Sequence, residues 1–258
     1  MPIPTKLRGM TRRRFIADSW TATTATLTGD QAIHLARVLR AEPGQIYDIV
    51  FNGFLHRAEI ISVSEQKVDF ALHEELSSDA ALPLHLLLAV FKFDHMEWAI
   101  EKATELGVSR ITPILARRTE KHLAQAALRR TERWRRIALE ASKQSRRTTI
   151  PEIADPIALK PALEHETTPT RILLSETEQT TTLTAALTDS VRPTGYESVA
   201  LNAPITHAIA IGPEGGWTSE EMSLFTQHQW QPVTLGPRIL RAETAAIAAI
   251  AIASTHLA

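Results

Sequence analysis

Four charged side chains lie in two turns of a kind that a plain connection would not need. Glu214 belongs to the run Ile211-Gly212-Pro213-Glu214-Gly215-Gly216-Trp217, and Arg238, Arg241 and Glu243 to the run from Leu235 to Ala245. Carboxylates can take a proton and guanidinium groups can steady the anion left behind. The glycines let the backbone adopt positive φ and approach a ligand closely. Each turn follows an apolar run that can end a strand and precedes a plausible helix, the position where α/β proteins collect ligands.

The same residues narrow the ligand. Neither turn is a Gly-x4-Gly-Lys-Ser/Thr phosphate loop, and Gly212-Pro213-Glu214-Gly215-Gly216 is not the Gly-x-Gly-x-x-Gly of dinucleotide folds. Glu214 and Glu243 would repel phosphate. A cofactor without phosphate fits better: adenosine joined to an amino acid, held by backbone groups and an apolar slot. Ser175-Glu176, Gly212, Pro213, Gly215 and Gly216, and Leu235, Gly236, Ile239 and Leu240 are the expected contacts.

Other chemistries find no support. The chain has no cysteine, which removes disulfides and thiolate sites. Its ten histidines are scattered without His-Glu-x-x-His, so no metal is expected. No Gly-x-Ser-x-Gly elbow occurs, and Tyr47 and Tyr196 give little support for a base-stacking platform. There is no apolar signal core near Met1 and no membrane-length apolar run, so the expected location is cytoplasmic.

Net charge is only -1, but positive charge is concentrated. Residues 117–147 hold 11 Lys or Arg against 3 Glu, and residues 1–14 hold five basic residues and no acid. With few acids nearby to pair them, these blocks point to a nucleic acid, with contacts expected at Arg12, Arg13, Arg14, Arg117, Arg129, Arg133, Lys143 and Arg146, and at Arg40 outside them.

The elements that must position these groups fall into two domains, 1–78 and 79–258. The first reads as a small barrel: strands at 14–17, 45–51, 54–63 and 67–72, a short helix over 30–39 with Ile33, Ala36, Val38 and Leu39 on one side, and an Asn52-Gly53 hairpin turn. In the second, residues 84–91 are apolar enough for a strand buried on both faces. A helix follows, with Asp94 and Glu97 as a capping box. A strand over 108–115 should place Pro113 at its end. The helix over 120–145 turns Trp134, Ile137, Ala138 and Ala141 inward. Later strands at 171–174, 207–211 and 232–235 lead into the ligand loops. Thr218 and Glu221 form a second capping box, and the helix over 244–255 is apolar almost all round, asking for cover from the sheet or another subunit.

On these motifs the chain resembles the bacterial 16S ribosomal RNA (uracil-N3)-methyltransferase family, within the knotted SPOUT methyltransferases. The resemblance runs through residues 34–40, 101–108, Pro113, Arg117 and 140–146, and closes on 211–221 and 235–245. It implies a trefoil-knotted α/β domain with S-adenosylmethionine bent in its loops, an N-terminal PUA-like barrel that helps hold RNA, and a homodimer. It also implies a substrate: one uridine of small-subunit RNA, methylated at N3. Two positions depart from the family pattern: Lys143 stands where a glutamate is usual and Ala242 where a threonine is common.

Uracil N3 is a poor nucleophile until its proton leaves. Arg241 or Arg238 is the expected cation beside the imide anion. Glu214 and Glu243 remain open to three roles: base, partner of an arginine, or acid at a helix N-terminus. A knotted methyltransferase acting elsewhere on RNA or on a ribose 2′-OH, and an RNA-binding assembly module without turnover, are the alternatives.

Overall fold

The structure is a computed structural model that describes residues 13–76, 81–189 and 204–257. Two compact units emerge, Met1–Asp79 and Ala80–Ala258.

The first unit is built on β1 (Arg14–Ile16), β2 (Ser19–Trp20), β3 (Thr24–Thr28), α1 (Gly29–Ile33), β4 (Ile46–Phe51), β5 (Phe54–Val63) and β6 (Lys67–Leu76). The strands form one sheet in the order β1-β4-β5-β6-β3-β2. It is antiparallel except for β1 beside β4. Asn52 (φ 47) and Gly53 (φ 84) both take the left-handed conformation that a two-residue hairpin turn demands. Period-two alternation buries Val68 and Phe70 against Leu27, Ile49 and Ile60.

The helix expected over 30–39 is corrected. α1 gives way to a π-helical turn, His34–Val38, in which the Leu39 N–H bonds to the His34 carbonyl. The wider turn moves later residues off the 3.6 pattern. Ala32 and Leu35 are buried, while Ile33 and Val38 are exposed.

The second unit contains β7 (Leu84–Ala89), α2 (Phe93–Glu105), β8 (Arg110–Leu115), α3 (Lys121–Gln144), β9 (Glu152–Ile153), β10 (Ile157–Ala158) and α4 (Leu159–His165). It continues with β11 (Thr170–Leu174), α5 (Leu183–Asp189), β12 (His207–Ile211), α6 (Ser219–Gln227), β13 (Gln231–Val233) and α7 (Ala242–Leu257). The sheet is wholly parallel, in the order β10-β8-β7-β12-β11-β13 with β9 also on β8. Every residue of β7 and β12 is buried. Leu84, Leu86, Leu88, Ile209 and Ile211 face a core shared with α2, α3, α5 and α7. Leu87, Ala208 and Ala210 face a second core with α4, Phe225 of α6 and Trp230. This is the expected fold class, a PUA-like β unit followed by an α/β domain with the parallel strand order of knotted methyltransferases.

Three local expectations change. Asp94 does not cap α2: the N-cap is Lys92, with no side-chain cap bond, and Glu97 instead accepts two hydrogen bonds from Arg133 of α3 (2.6 and 2.8 Å). Pro113 sits inside β8 rather than at its end, opposite Leu88; on the other side of β8, the two-residue strands β9 and β10 leave 112 and 113 unpaired. Finally, α7 runs beyond 244–255 at both ends and takes Ala242, Glu243 and Thr244 into its first turn.

Candidate active site

Because the strands are parallel, the loops after β7, β8, β11, β12 and β13 all leave the same edge of the sheet. They enclose a cleft of about 1150 Å³. Its walls are the 174–179 loop, both glycine-containing turns, Lys92 and His95 at the start of α2, and Arg118. Every expected cofactor residue borders this one space: Ser175, Glu176, Gly212, Pro213, Gly215, Gly216, Leu235, Gly236, Ile239 and Leu240.

The first turn is held from below and from the side. The Gly216 N–H closes it on the Pro213 carbonyl at 2.8 Å, with Gly216 at φ +69. The Trp217 indole lies under Gly212, where an added Cβ would come within 3.0 Å of Nε1. Trp217 packs edge-on against Phe225, and Phe225 against Trp230. Arg118 donates to the Gly215 carbonyl (2.5 Å). The expected capping box at Thr218 forms, and its Glu221 does a second job: Oε2 accepts from the Thr218 N–H (2.8 Å) and Oε1 from the Arg117 N–H (2.7 Å). One buried carboxylate therefore ties the loop after β8 to the loop after β12.

In the second turn the Thr234 hydroxyl accepts from the Gly236 N–H and donates to the Gly236 carbonyl, both at 3.1 Å. Gly236 has φ +117, and nothing lies within 4 Å of where a Cβ would be. Arg238, Ile239 and Arg241 are exposed beyond it, Ile239 at 81%. In the loop after β11, the Glu178 carboxylate accepts from the Thr180 hydroxyl (2.6 Å), the Thr180 N–H (2.8 Å) and the Thr181 N–H (2.9 Å). These bonds, the Thr180 hydroxyl first, hold its pKa down at about 2. Sequence reasoning missed Glu178, although Glu-x-Thr-Thr before a helix is a turn signal in its own right.

The two candidate glutamates part company. Glu214 is exposed, with Lys92 Nζ 3.9 Å away. Glu243 is 3% exposed, lies behind the cleft wall in the first turn of α7, and has His95 Nδ1 3.0 Å from Oε1. Neither carboxylate pairs with an arginine among the described residues. His95 had no motif to mark it; its only local signal is a polar residue opening a helix straight after a buried strand.

The expected RNA contacts scatter over both units. Arg13, Arg14 and Arg40 belong to the first, with Arg40 at φ 50, while Arg12 lies outside the described residues. Arg117, Arg129, Arg133, Lys143 and Arg146 belong to the second. The expected scarcity of acids around the second block is corrected: the fold brings Glu97 of α2 and Asp155 to it, and Glu132 and Glu140 of α3 itself are engaged by cations one turn away. Arg133 holds Glu97, Arg135 holds Glu132 and Asp155, Lys143 holds Glu140, and Arg130 lies 4.8 Å over the Phe93 ring. Arg147 donates to the Thr104 carbonyl at 2.7 Å, and burial lowers its pKa to about 10. Arg129 and Arg136, seven residues apart on one side of α3, are exposed and have no acidic partner among the described residues. The described residues hold no cluster of three His, Asp or Glu suited to a metal, and no helix long and apolar enough to cross a membrane.

Both units match families of known proteins. Residues 78–254 match the model of an RNA methyltransferase domain, and residues 27–72 that of an RNA methyltransferase PUA domain. The chain is 34% identical to the ribosomal RNA small subunit methyltransferase E of Synechocystis sp. over 88% of its own length and 72% of that protein. To the enzyme of the same name from Bacillus subtilis it is 32% identical over 90% of each. Among solved structures, the ribosomal RNA small subunit methyltransferase E of Neisseria gonorrhoeae, bound to S-adenosyl methionine, superposes with a TM-score of 0.77 at 28% identity, covering 95% of this chain and 97% of that one.

Proposed function

We propose a function from one premise: the chain belongs to the ribosomal RNA small subunit methyltransferase E family. It methylates small-subunit ribosomal RNA with S-adenosylmethionine, and the atom that receives the methyl is N3 of one uridine. The observation that carries this reading is the single cleft in which the loops after β11, β12 and β13 meet.

The cleft suits the cofactor on its own chemistry. Its charges are divided: Lys92, Arg118, Arg238 and Arg241 line it together with Glu176, Glu178 and Glu214, and Glu178 is ionised at any ordinary pH. Those carboxylates match a positively charged sulfonium and amino group. The space above Gly236 is one that a side chain would fill. When bound, S-adenosylmethionine supplies a methyl group on a positively charged sulfur. The 174–179 loop and the backbone of both turns hold it, with Ile239 and Leu240 as the apolar side of the slot. Arg241 and Arg238 stand on the exposed wall and stabilise the uracil imide anion through O2 and O4. Glu214 stays with Lys92 and orients that edge of the turn.

The two units divide the work: the first, with Arg13, Arg14 and Arg40, helps hold RNA, and the second carries the cofactor and the chemistry. The chain acts as a homodimer. Ile247, Ala248, Ala251 and Ile252 of α7 are only partly covered within one chain, as they would be if a second copy completed their burial. Sedimentation should give a dimer at micromolar concentration; a fully active monomer would refute that part.

The test of the activity is transfer of label from methyl-labelled S-adenosylmethionine. The expected acceptor is small-subunit RNA from a strain lacking this protein. Label on large-subunit RNA alone, or none, would overturn the assignment.

A further inference from the structure

We propose that His95 is the base that takes the N3 proton from the target uridine, with Glu243 as the positioning residue that holds its ring. This rests on the uridine N3 reading above and deepens it by naming the proton acceptor. His95 opens α2 and borders the same cleft as Arg241, with its side chain 29% exposed. Glu243 lies behind it at 3% exposure, and its Oε2 has no partner among the described residues. A carboxylate at that depth is costly unless something answers its charge. The first turn of α7 answers part of it, and the His95 ring, 3.0 Å from Oε1, is the neighbouring side chain that answers the rest.

That pairing selects a tautomer. The hydrogen sits on Nδ1, toward Glu243, and Nε2 is left as an acceptor, the same division of labour as a carboxylate behind a general-base histidine. Nδ1 is close to the oxygen but not aligned for a formed hydrogen bond, a misalignment that commonly tightens only with substrate bound. Other charges border the ring and its cleft, Arg238 and Arg241 on the exposed second turn among them. Asp94, on its own helix, is 3.7 Å from Nε2 but 79% exposed. Glu97 is held by Arg133 and Arg130. Elsewhere on the cleft wall, Lys92 faces Glu214 and Arg118 is spent on the Gly215 carbonyl. Glu243 itself is too deep to meet a base, so a proton has to pass to His95.

The step balances. The N3–H bond breaks and its proton bonds to Nε2. The electron pair left on N3 forms the N3–methyl bond as the sulfur–methyl bond breaks, and that bond's electrons stay on sulfur. The imidazolium, steadied by Glu243, returns its proton to water after the products leave.

The test combines single-turnover rates with nitrogen-15 spectra of labelled histidine. His95→Gln keeps an N–H for Glu243 but cannot accept the proton. At saturating substrates and pH 7 its rate should fall by about 10²-fold or more and then climb with hydroxide concentration, while cofactor and RNA affinities hold. In the wild-type protein the His95 ring should show the Nδ1–H tautomer, and Glu243→Gln should mix the two tautomers. A wild-type rate and pH profile in His95→Gln would overturn the proposal, as would an Nε2–H ring in the unsubstituted protein. If His95→Gln does not fold, the tautomer decides alone. Nucleoside mass analysis of the wild-type product separates the two readings: methyl on another atom sinks the N3 assignment, whereas methyl on N3 with an indifferent His95→Gln sinks only this one.

Discussion

Arg241 is exposed on the cleft wall and has no acidic partner among the described residues, so its charge is available to an anion that forms beside it. Arg241→Ala should therefore lower the saturated single-turnover rate by about tenfold or more, roughly 1.4 kcal/mol of transition-state stabilisation, with little change in RNA affinity. Raising the pH from about 7 to 9.5 should restore part of the rate, because hydroxide supplies the anion that the arginine no longer favours. A variant that binds RNA more weakly but keeps the wild-type saturated rate would make Arg241 a positioning residue. Glu178 carries a separate prediction. Its folded pKa, about 2, lies below the ordinary 4.5, so its stabilising contribution is complete above about 4.5 and is lost as pH falls toward 2. Thr180→Ala removes its shortest donor. Carbon-detected titration should show the Glu178 midpoint moving up toward 4.5 in that variant, and an unmoved midpoint would mean that the backbone N–H groups suffice.

Among the elements, α6 is the one whose start was plain from sequence, because Thr218 and Glu221 satisfy each other within one turn. Thr218→Ala should cost about 1 kcal/mol in a urea titration. It should also loosen the cofactor cleft, since Glu221 holds the Arg117 N–H as well. Strands β7 and β12 were equally legible, since short, nearly continuous apolar runs suit strands covered on both faces. Where reading failed, a distant partner had intervened. Asp94 and Glu97 carry the same local pattern as Thr218 and Glu221, but Arg133, 36 residues on, claims Glu97. The π-helical turn at His34–Val38 has no periodicity signal of its own, so Val38 looked inward and is exposed. The same limit applies in the cleft. The glycine turns announced themselves by composition, while His95 and Glu243 meet only because α2 and α7 pack side by side. At Gly236 the strain lies in φ +117 rather than in contact. Gly236→Val should therefore weaken cofactor binding in calorimetry by distorting the turn and filling the slot, and unchanged affinity would remove that turn from the site.

At the scale of the whole molecule, a nearly neutral chain leaves a few cations unanswered among its described residues. Arg129 and Arg136 are such a pair on α3, whereas Arg133, Arg135 and Lys143 are engaged within the fold. Replacing Arg129 and Arg136 with alanine should weaken RNA binding and flatten its dependence on the logarithm of salt concentration by up to about 0.9 per lost duplex phosphate contact. Arg135→Ala should leave that slope nearly unchanged, and neither change should alter cofactor affinity. What the two units do together is decided by the fate of one methyl group. The most direct measurement is nucleoside mass mapping of small-subunit RNA from a strain lacking this protein, before and after incubation with the purified chain and S-adenosylmethionine. One uridine should gain a single methyl on its base at N3, at one position and only when the cofactor is present. A methyl on a ribose, on another base, or at many positions would contradict the assignment.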